Sequence, residues 1–388
     1  MLQKIFILSL RKKVLLTAAL AVLLLGSGAL AFYQRQVANK ASSPEAQTVA
    51  SPTPTDNKTD EKPVAKKPEP AKPSAPKPGS PTPAAPSSPS SQPAPPANPP
   101  PSPPPSGVCS GAAWTPGSSD PWGGCWPGPN NTGVPSGVVL SAYTGSCTIT
   151  AANTVIDART VNCILTIRAA NVTITRSQIN GGVNVPSDAP SSASFAISDS
   201  NVHVGDNLNT GLMRRNFSAN RVDITGGRRS VYCMTNCTVE NSWAHQQGGD
   251  PGGDAHFSGM RMEQYTTYRH NSITCEAERG PGTGCSAGLT GYGDFAPIQN
   301  NLIERNLFYR GSGGGSTICA YGGSSGDDGS KPYGHLAANI RFISNRFVLD
   351  PETGHCGNLE TVLDFDATRP GNQWTDNLFD NGTPVSPS

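Results

Sequence analysis

The sequence predicts an all-β solenoid of stacked parallel coils, set behind an N-terminal anchor and a proline-rich stalk. Three observations predict it. A short phrase, apolar-x-x-Ser/Asn-x-apolar, returns with its polar pivot at Ser177, Ser200, Asn220, Asn241, Asn271, Asn306, Asn345 and Asn377. The pivots are spaced 23, 20, 21, 30, 35, 39 and 32 residues apart, so the shortest spacing sets the coil and the excess is looped out. Around each pivot, β-branched residues alternate with polar ones, the period of a strand rather than a helix. The composition is also split: 22 of the 37 prolines fall in residues 41–106, and all ten cysteines and all five tryptophans follow Ser106.

The elements follow in chain order. Residues 1–13 are basic, with Lys4, Arg11, Lys12 and Lys13, and are expected to stay on the cytoplasmic side. Residues 14–32 form an uncharged run of 19 residues, enough to cross a hydrocarbon core of about 30 Å. The expected result is a single-pass membrane anchor with the remainder outside the cell. The alternative is a signal sequence cleaved after Ala29-Leu30-Ala31 and a secreted protein. Residues 33–106 hold almost no large apolar side chain and many prolines, so they are expected to be a disordered, partly extended stalk reaching on the order of 200 Å. Residues 107–137 are rich in Trp, Gly and Pro and are expected to cap the open end of the solenoid, with carbohydrate stacking by Trp114, Trp122 or Trp126 as the other reading. The coils then run over residues 138–388, with Ser and Asn stacking as hydrogen-bonded ladders at the bends. Bulkier residues near the later pivots (Trp243, Phe308, Phe347, Phe379) predict a core that thickens toward the C-terminus.

Charge narrows the function classes. Residues 1–106 carry 12 Lys/Arg against 5 Asp/Glu, a balance of +7, whereas residues 107–388 carry 17 against 23, a balance of −6 with Lys331 as the one lysine. An acidic coil domain is a poor nucleic-acid binder, because that binding rests on neutralising phosphate. No Walker loop or dinucleotide fingerprint is present. Ten cysteines beyond a membrane crossing should be oxidised. Proximity suggests Cys109–Cys125, Cys147–Cys163, Cys233–Cys237, Cys275–Cys285 and Cys319–Cys356, although ten cysteines allow many other pairings.

From Trp126 onward, the phrases WPGPNNTGVPSGVVL, VIDARTVNCILTIRAANVTITRSQI and HCGN…GNQWTDNLFDNGTPV resemble a family of secreted bacterial, actinobacterial-type β-helix proteins. The resemblance implies a single-stranded right-handed parallel β-helix of the pectin-lyase-like fold, here of about eight to nine coils. Most members have no assigned activity, so the likeness speaks to fold more than to function. One motif of that family, Asp-x-His-x-Asp-Gly, reads Asp254-Ala255-His256-Phe257-Ser258-Gly259 here. Ser258 stands where the second aspartate would be, so half of an acid/base or metal pair is carried over.

Long insertions at residues 246–255, 274–284, 322–338 and 349–358 are expected to rise on one side of the stack, where loops on a rigid scaffold carry function. Outward residues behind them would line a groove: His256, Ser258, Arg261 or Glu263, then Tyr292 and Asp294, Tyr321, Asp364 and Asp366. Rim residues would be Asp250, Asp254, Glu276, Glu278, Arg279, Asp327, Asp328 and His335. Such a groove suits a polysaccharide, with Tyr292 and Tyr321 stacking on sugar rings and Glu263, Arg279 and Asp364 holding hydroxyls or carboxylates. Glycoside hydrolysis needs two carboxylates about 5–5.5 or 6.5–9.5 Å apart, for which Asp254 with Asp294 or Asp294 with Asp364 are the candidates. A uronate lyase or epimerase would use His256 as base and Arg261 or Arg279 as cation, with Ca²⁺ as the candidate cofactor on Asp327-Asp328 or Asp364 and Asp366. The sequence favours the third option, a monomeric, envelope-anchored surface protein that binds a cell-wall or other polysaccharide without turnover, since the shared motif has lost an aspartate.

Overall fold

The computed structural model describes residues 109–250, 253–312, 315–326 and 329–388. The expected cytoplasmic segment, the 14–32 anchor and the 33–106 stalk lie outside them, as do Asp327 and Asp328. Among the described residues, no helix is long and apolar enough to cross a membrane.

The described part is all-β, with one turn of 3-10 helix at Gly334–Leu336. Every ladder between its named strands is parallel, and each strand pairs with its counterparts one coil before and one coil after. That is the solenoid the repeats predict, with a topology compatible with a parallel β-helix. One face is a ten-stranded sheet running from Ser141–Ala142 through Gln178–Asn180 and Ser272–Ile273 to Leu378–Phe379. Two further faces are separate strands in the early and late coils. In the middle they fuse into three long strands, Thr210–Asn220, Arg229–Glu240 and His256–Arg269. The ten-stranded sheet has two layers, Ser141–Ala142 and Arg159–Val161, below the first of the repeated phrases.

The core is made of aliphatic columns. Ile156, Ile174, Ile197, Ala219, Val239, Tyr268, Ile303 and Phe342 stand in register on one face. On the ten-stranded face, Val161, Ile179, Val202, Ile224, Ala244, Ile273, Phe308 and Phe347 do the same. The column does widen, and Phe308 stacks on Phe347 with ring centroids 4.9 Å apart. Trp243 is not part of it: Ala244 fills the inward place, and Trp243 stacks on His245 away from the column.

That difference reflects a register slip at two pivots. The buried ladder runs through Ser177, Ser200, Val222, Ser242, Asn271, Asn306, Asn345 and Asn377. Asn241 and Asn220 are therefore not its members. Asn241 lies one residue before the true pivot, and the coil that carries Asn220 places an apolar Val222 there. The residue just before each pivot is held in the left-handed region: Arg176, Asp199, Arg221, Asn241, His270, Arg305, Ser344 and Asp376 have φ between 47° and 56°. These bends cost backbone strain, which the ladder bonds offset. Ser344→Val is expected to destabilise by about 1–2 kcal/mol relative to Ser344→Gly, since both lose the hydroxyl and the β-branched side chain alone suffers at positive φ. Thermal unfolding of the two variants checks it.

The Trp-rich segment does not lie over the first coil, where Val139 and Val155 remain 86% and 66% exposed. It runs along the flank, across the row of bends. Val134 N–H donates to Asn201 Oδ1 at 3.1 Å and Gly133 N–H to Arg221 O at 3.0 Å. Trp126 stacks on His270, and the guanidiniums of Arg305 and Arg346 sit over Trp122 at 5.2 and 5.5 Å. The flank offers the tryptophans cations and a histidine ring, partners the apolar edge of the first coil lacks. Trp126 is fully buried and cannot stack on a sugar. All five proximity pairings of cysteine are disulfides. Five disulfides are what an extracellular or other oxidising compartment provides.

Candidate functional site

Two adjoining clefts of 480 and 680 Å³ open on the stack, the smaller lined by the opening residues of the strands Arg229–Glu240 and His256–Arg269. They share Tyr292, Tyr321 and Lys331, so they form one groove along the stack. Register builds its floor. Tyr232, Arg261 and Thr290 are direct neighbours in three successive coils, and Arg229 pairs with Ser258.

Arg261 is the hub of the groove, although it is only 3% exposed. Its Nη2 donates to Glu263 Oε1 at 3.3 Å and to Asp294 Oδ2 at 3.4 Å. Its guanidinium faces the rings of Tyr232, Tyr292 and Phe295 at 5.3, 5.3 and 5.0 Å. Glu263 is wholly buried and also accepts the Tyr232 hydroxyl at 2.7 Å. Burial pushes the Glu263 carboxyl above its ordinary value, opposed by the Tyr232 hydrogen bond and the Arg261 charge. Burial likewise pushes the hydroxyls of Tyr232, Tyr292 and Tyr321 up, so these tyrosines are neutral. Asp294 is clamped between Arg261 and Lys331, whose Nζ lies 2.7 Å away. Tyr292 and Tyr321 present tilted rings 4.6 Å apart.

Several expected residues meet in this groove. His256, Arg261, Tyr292, Asp294 and Tyr321 line the smaller cleft, and Tyr292, Tyr321, Asp364 and Asp366 the larger. His256 is exposed at the rim, with Nδ1 3.3 Å from Ser286 Oγ. Asp364 accepts a hydrogen bond from Ser325 Oγ. Hydrogen bonds from Thr368, with help from Arg369, hold Asp366 below the usual carboxylate range. Other expected residues lie elsewhere. Glu263 lies beneath the groove rather than in it. Asp254 is exposed and lines neither cleft. Arg279 lines a separate cleft of 420 Å³ with Asp206, Asp250, Glu276 and Glu278. Of the proposed carboxylate pairs, Asp294 lines the smaller cleft and Asp364 the larger. Among the described residues, no group of three or more His, Cys, Asp or Glu is arranged to hold a metal ion.

Sequence reasoning missed Arg228, Arg229, Tyr232, Ser286, Phe295 and Lys331, which also line or support this site. Arg228-Arg229 follow Gly226-Gly227 and read as an exposed turn pairing with acids. Instead, Arg228 Nε donates to the His256 carbonyl at 3.0 Å, and Arg229 is drawn into the cleft. Arg214-Arg215 also read as an exposed turn pairing with acids; Arg215 instead donates to the carbonyls of Pro186, Ser187 and Ala189.

No family model, curated protein or solved structure matches this chain. The likeness to actinobacterial, pectin-lyase-like proteins therefore rests on the sequence phrases alone.

Proposed function

We propose that this is an extracytoplasmic protein with a right-handed, pectin-lyase-like β-helix whose groove binds an extended polysaccharide without cleaving it. Residues 14–32 would anchor it in the cell membrane and residues 33–106 would hold the groove clear of the surface. The observation that carries the non-catalytic reading is the state of Asp294. It lies 2.7 Å from Lys331 Nζ and shares a second cation, Arg261, with Glu263, so the one carboxylate lining the smaller cleft is already engaged by two cations. Asp366 is pulled down, not up, and Glu263, the one carboxyl pushed up among the described residues, is out of reach of a ligand. The paired tyrosine rings and the exposed Phe295 supply the apolar faces that sugar rings stack on.

The test is incubation of the purified full chain with polyuronates and neutral polysaccharides, with and without Ca²⁺. The expected result is retention on an immobilised polysaccharide with no unsaturated product absorbing in the ultraviolet and no new reducing ends. Tyr292→Ala is expected to weaken retention about tenfold, the loss of about 1.4 kcal/mol of stacking. Ultraviolet-absorbing product that disappears in His256→Ala overturns this reading in favour of a lyase.

A further inference from the structure

We propose that the groove recognises an acidic polysaccharide, seating a carboxylate or sulfate substituent on Arg229 with Arg228 beside it. This rests on the polysaccharide reading above and adds the chemical class. Arg229 opens the strand Arg229–Glu240 and lines the smaller cleft. Its guanidinium makes no hydrogen bond or ion pair with a described residue, and its Nε is buried without a partner. Four cations line that cleft, Arg228, Arg229, Arg261 and Lys331, against one carboxylate, Asp294. Asp294 is already engaged by Lys331 and Arg261, and Glu263 beneath accepts from Arg261 and Tyr232. No carboxylate among the described residues pairs with Arg229. The coil-bearing half of the chain is net acidic, so this cluster runs against the surrounding charge.

An unpaired, largely desolvated guanidinium is costly unless an anion joins it. Burial, and then the like charges of Arg228 and Arg261, lower the Arg229 pKa to about 10. The planar fork of an arginine matches a carboxylate or sulfate with two parallel hydrogen bonds. Tyr292 and Phe295 border the same cleft, so a ring bearing the anion has apolar faces beside it.

The experiment measures retention of the full chain on polygalacturonate, dextran sulfate and uncharged dextran. At least one charged polymer should bind about tenfold or more tightly than dextran, a margin that shrinks as salt rises from about 20 to about 200 mM. Arg229→Met should abolish that margin and raise Tm, because it removes an unpaired, largely desolvated charge. Preference for polygalacturonate identifies a carboxylate ligand, and preference for dextran sulfate a sulfated one. Equal binding of all three polymers by the parent overturns the acidic-ligand inference and leaves the groove reading standing. Equal loss of all three in Arg229→Met also overturns it, as the sign of a structural role. Binding of no polymer sinks the polysaccharide reading itself. The subsite is then tested alone by inorganic sulfate against chloride at matched ionic strength. Sulfate should raise the Tm of the parent more than that of Arg229→Met, and equal shifts overturn the subsite. Arg229→Gln serves the same comparisons where the methionine variant does not fold.

Discussion

Alanine at Asn306 is expected to destabilise the solenoid by about 3–5 kcal/mol, lowering the thermal midpoint by about 10 °C. The side chain is fully buried and saturated. Its Oδ1 accepts the backbone N–H of Asn271 at 2.9 Å and the Asn271 amide at 3.0 Å. Its Nδ2 donates to the Tyr268 carbonyl at 2.8 Å and to Asn345 Oδ1 at 3.0 Å. Truncation takes a partner from four buried groups in the two flanking coils and leaves the Asn271 N–H and the Tyr268 carbonyl without their side-chain partner, and each unsatisfied buried group costs about 1–3 kcal/mol before relaxation. Asn345→Ala should behave similarly, since it repeats the pattern one coil on. Replacing Asn220, which reads like a pivot in the sequence but lies outside the ladder, should cost much less. Circular-dichroism melts of the three variants make the comparison, and equal losses at Asn220 and Asn306 would contradict the ladder account.

Arg261→Met is expected to cost about 3–5 kcal/mol near neutral pH, the usual result of leaving a buried charge without its partner. Methionine fills much of the space, so the effect is electrostatic more than packing. The loss should depend on pH with a definite sign. Burial raises the folded-state pKa of Glu263 above its unfolded value, so its contribution is fully present below the unfolded value and is lost as pH rises through the folded one. Arg261 opposes the raising, and removing it drives the carboxyl further up. Arg261→Met should therefore lose more stability than the parent on going from about pH 4 to about pH 7. Adding Glu263→Gln should abolish most of that extra loss, which makes the pair a double-mutant cycle. A pH-independent cost in Arg261→Met would show that the ion pair is not its source.

The fold was legible at positions where one residue type repeats at one structural place. Ser177, Ser200, Asn271, Asn306, Asn345 and Asn377 could be read because a buried bend that must hydrogen-bond to its neighbours above and below tolerates few side chains. The slip at Asn220 and Asn241 has a local cause. Val222 breaks the polar pattern, and Asn241-Ser242 offers two adjacent candidates of which the structure buries the serine. The groove was only partly legible, for a different reason. Arg261, Tyr292, Asp294 and Tyr321 could be placed near one another from strand alternation. That Tyr232 would stand beside Arg261, and that Arg229 would enter the cleft, required the register between coils separated by insertions, which spacing alone leaves open. Glu263 has the same period as an outward residue, yet the hydroxyl and guanidinium around it draw it under the surface.

The flank-lying Trp segment changes how this molecule would answer a pulling force. A solenoid held only by neighbouring coils peels from its end one layer at a time. Here the chain entering at Cys109 is closed into a loop by Cys125 and then fastened across the bends from Asn201 to Arg346, including a 3.0 Å contact between Asp120 and His270 that spans 150 residues. Tension arriving from the N-terminal side would load those contacts together, in shear along the stack, before it reached the first coil. A protein pulled through its N-terminal side while its groove grips a polymer would share the load among many layers instead of surrendering them in sequence.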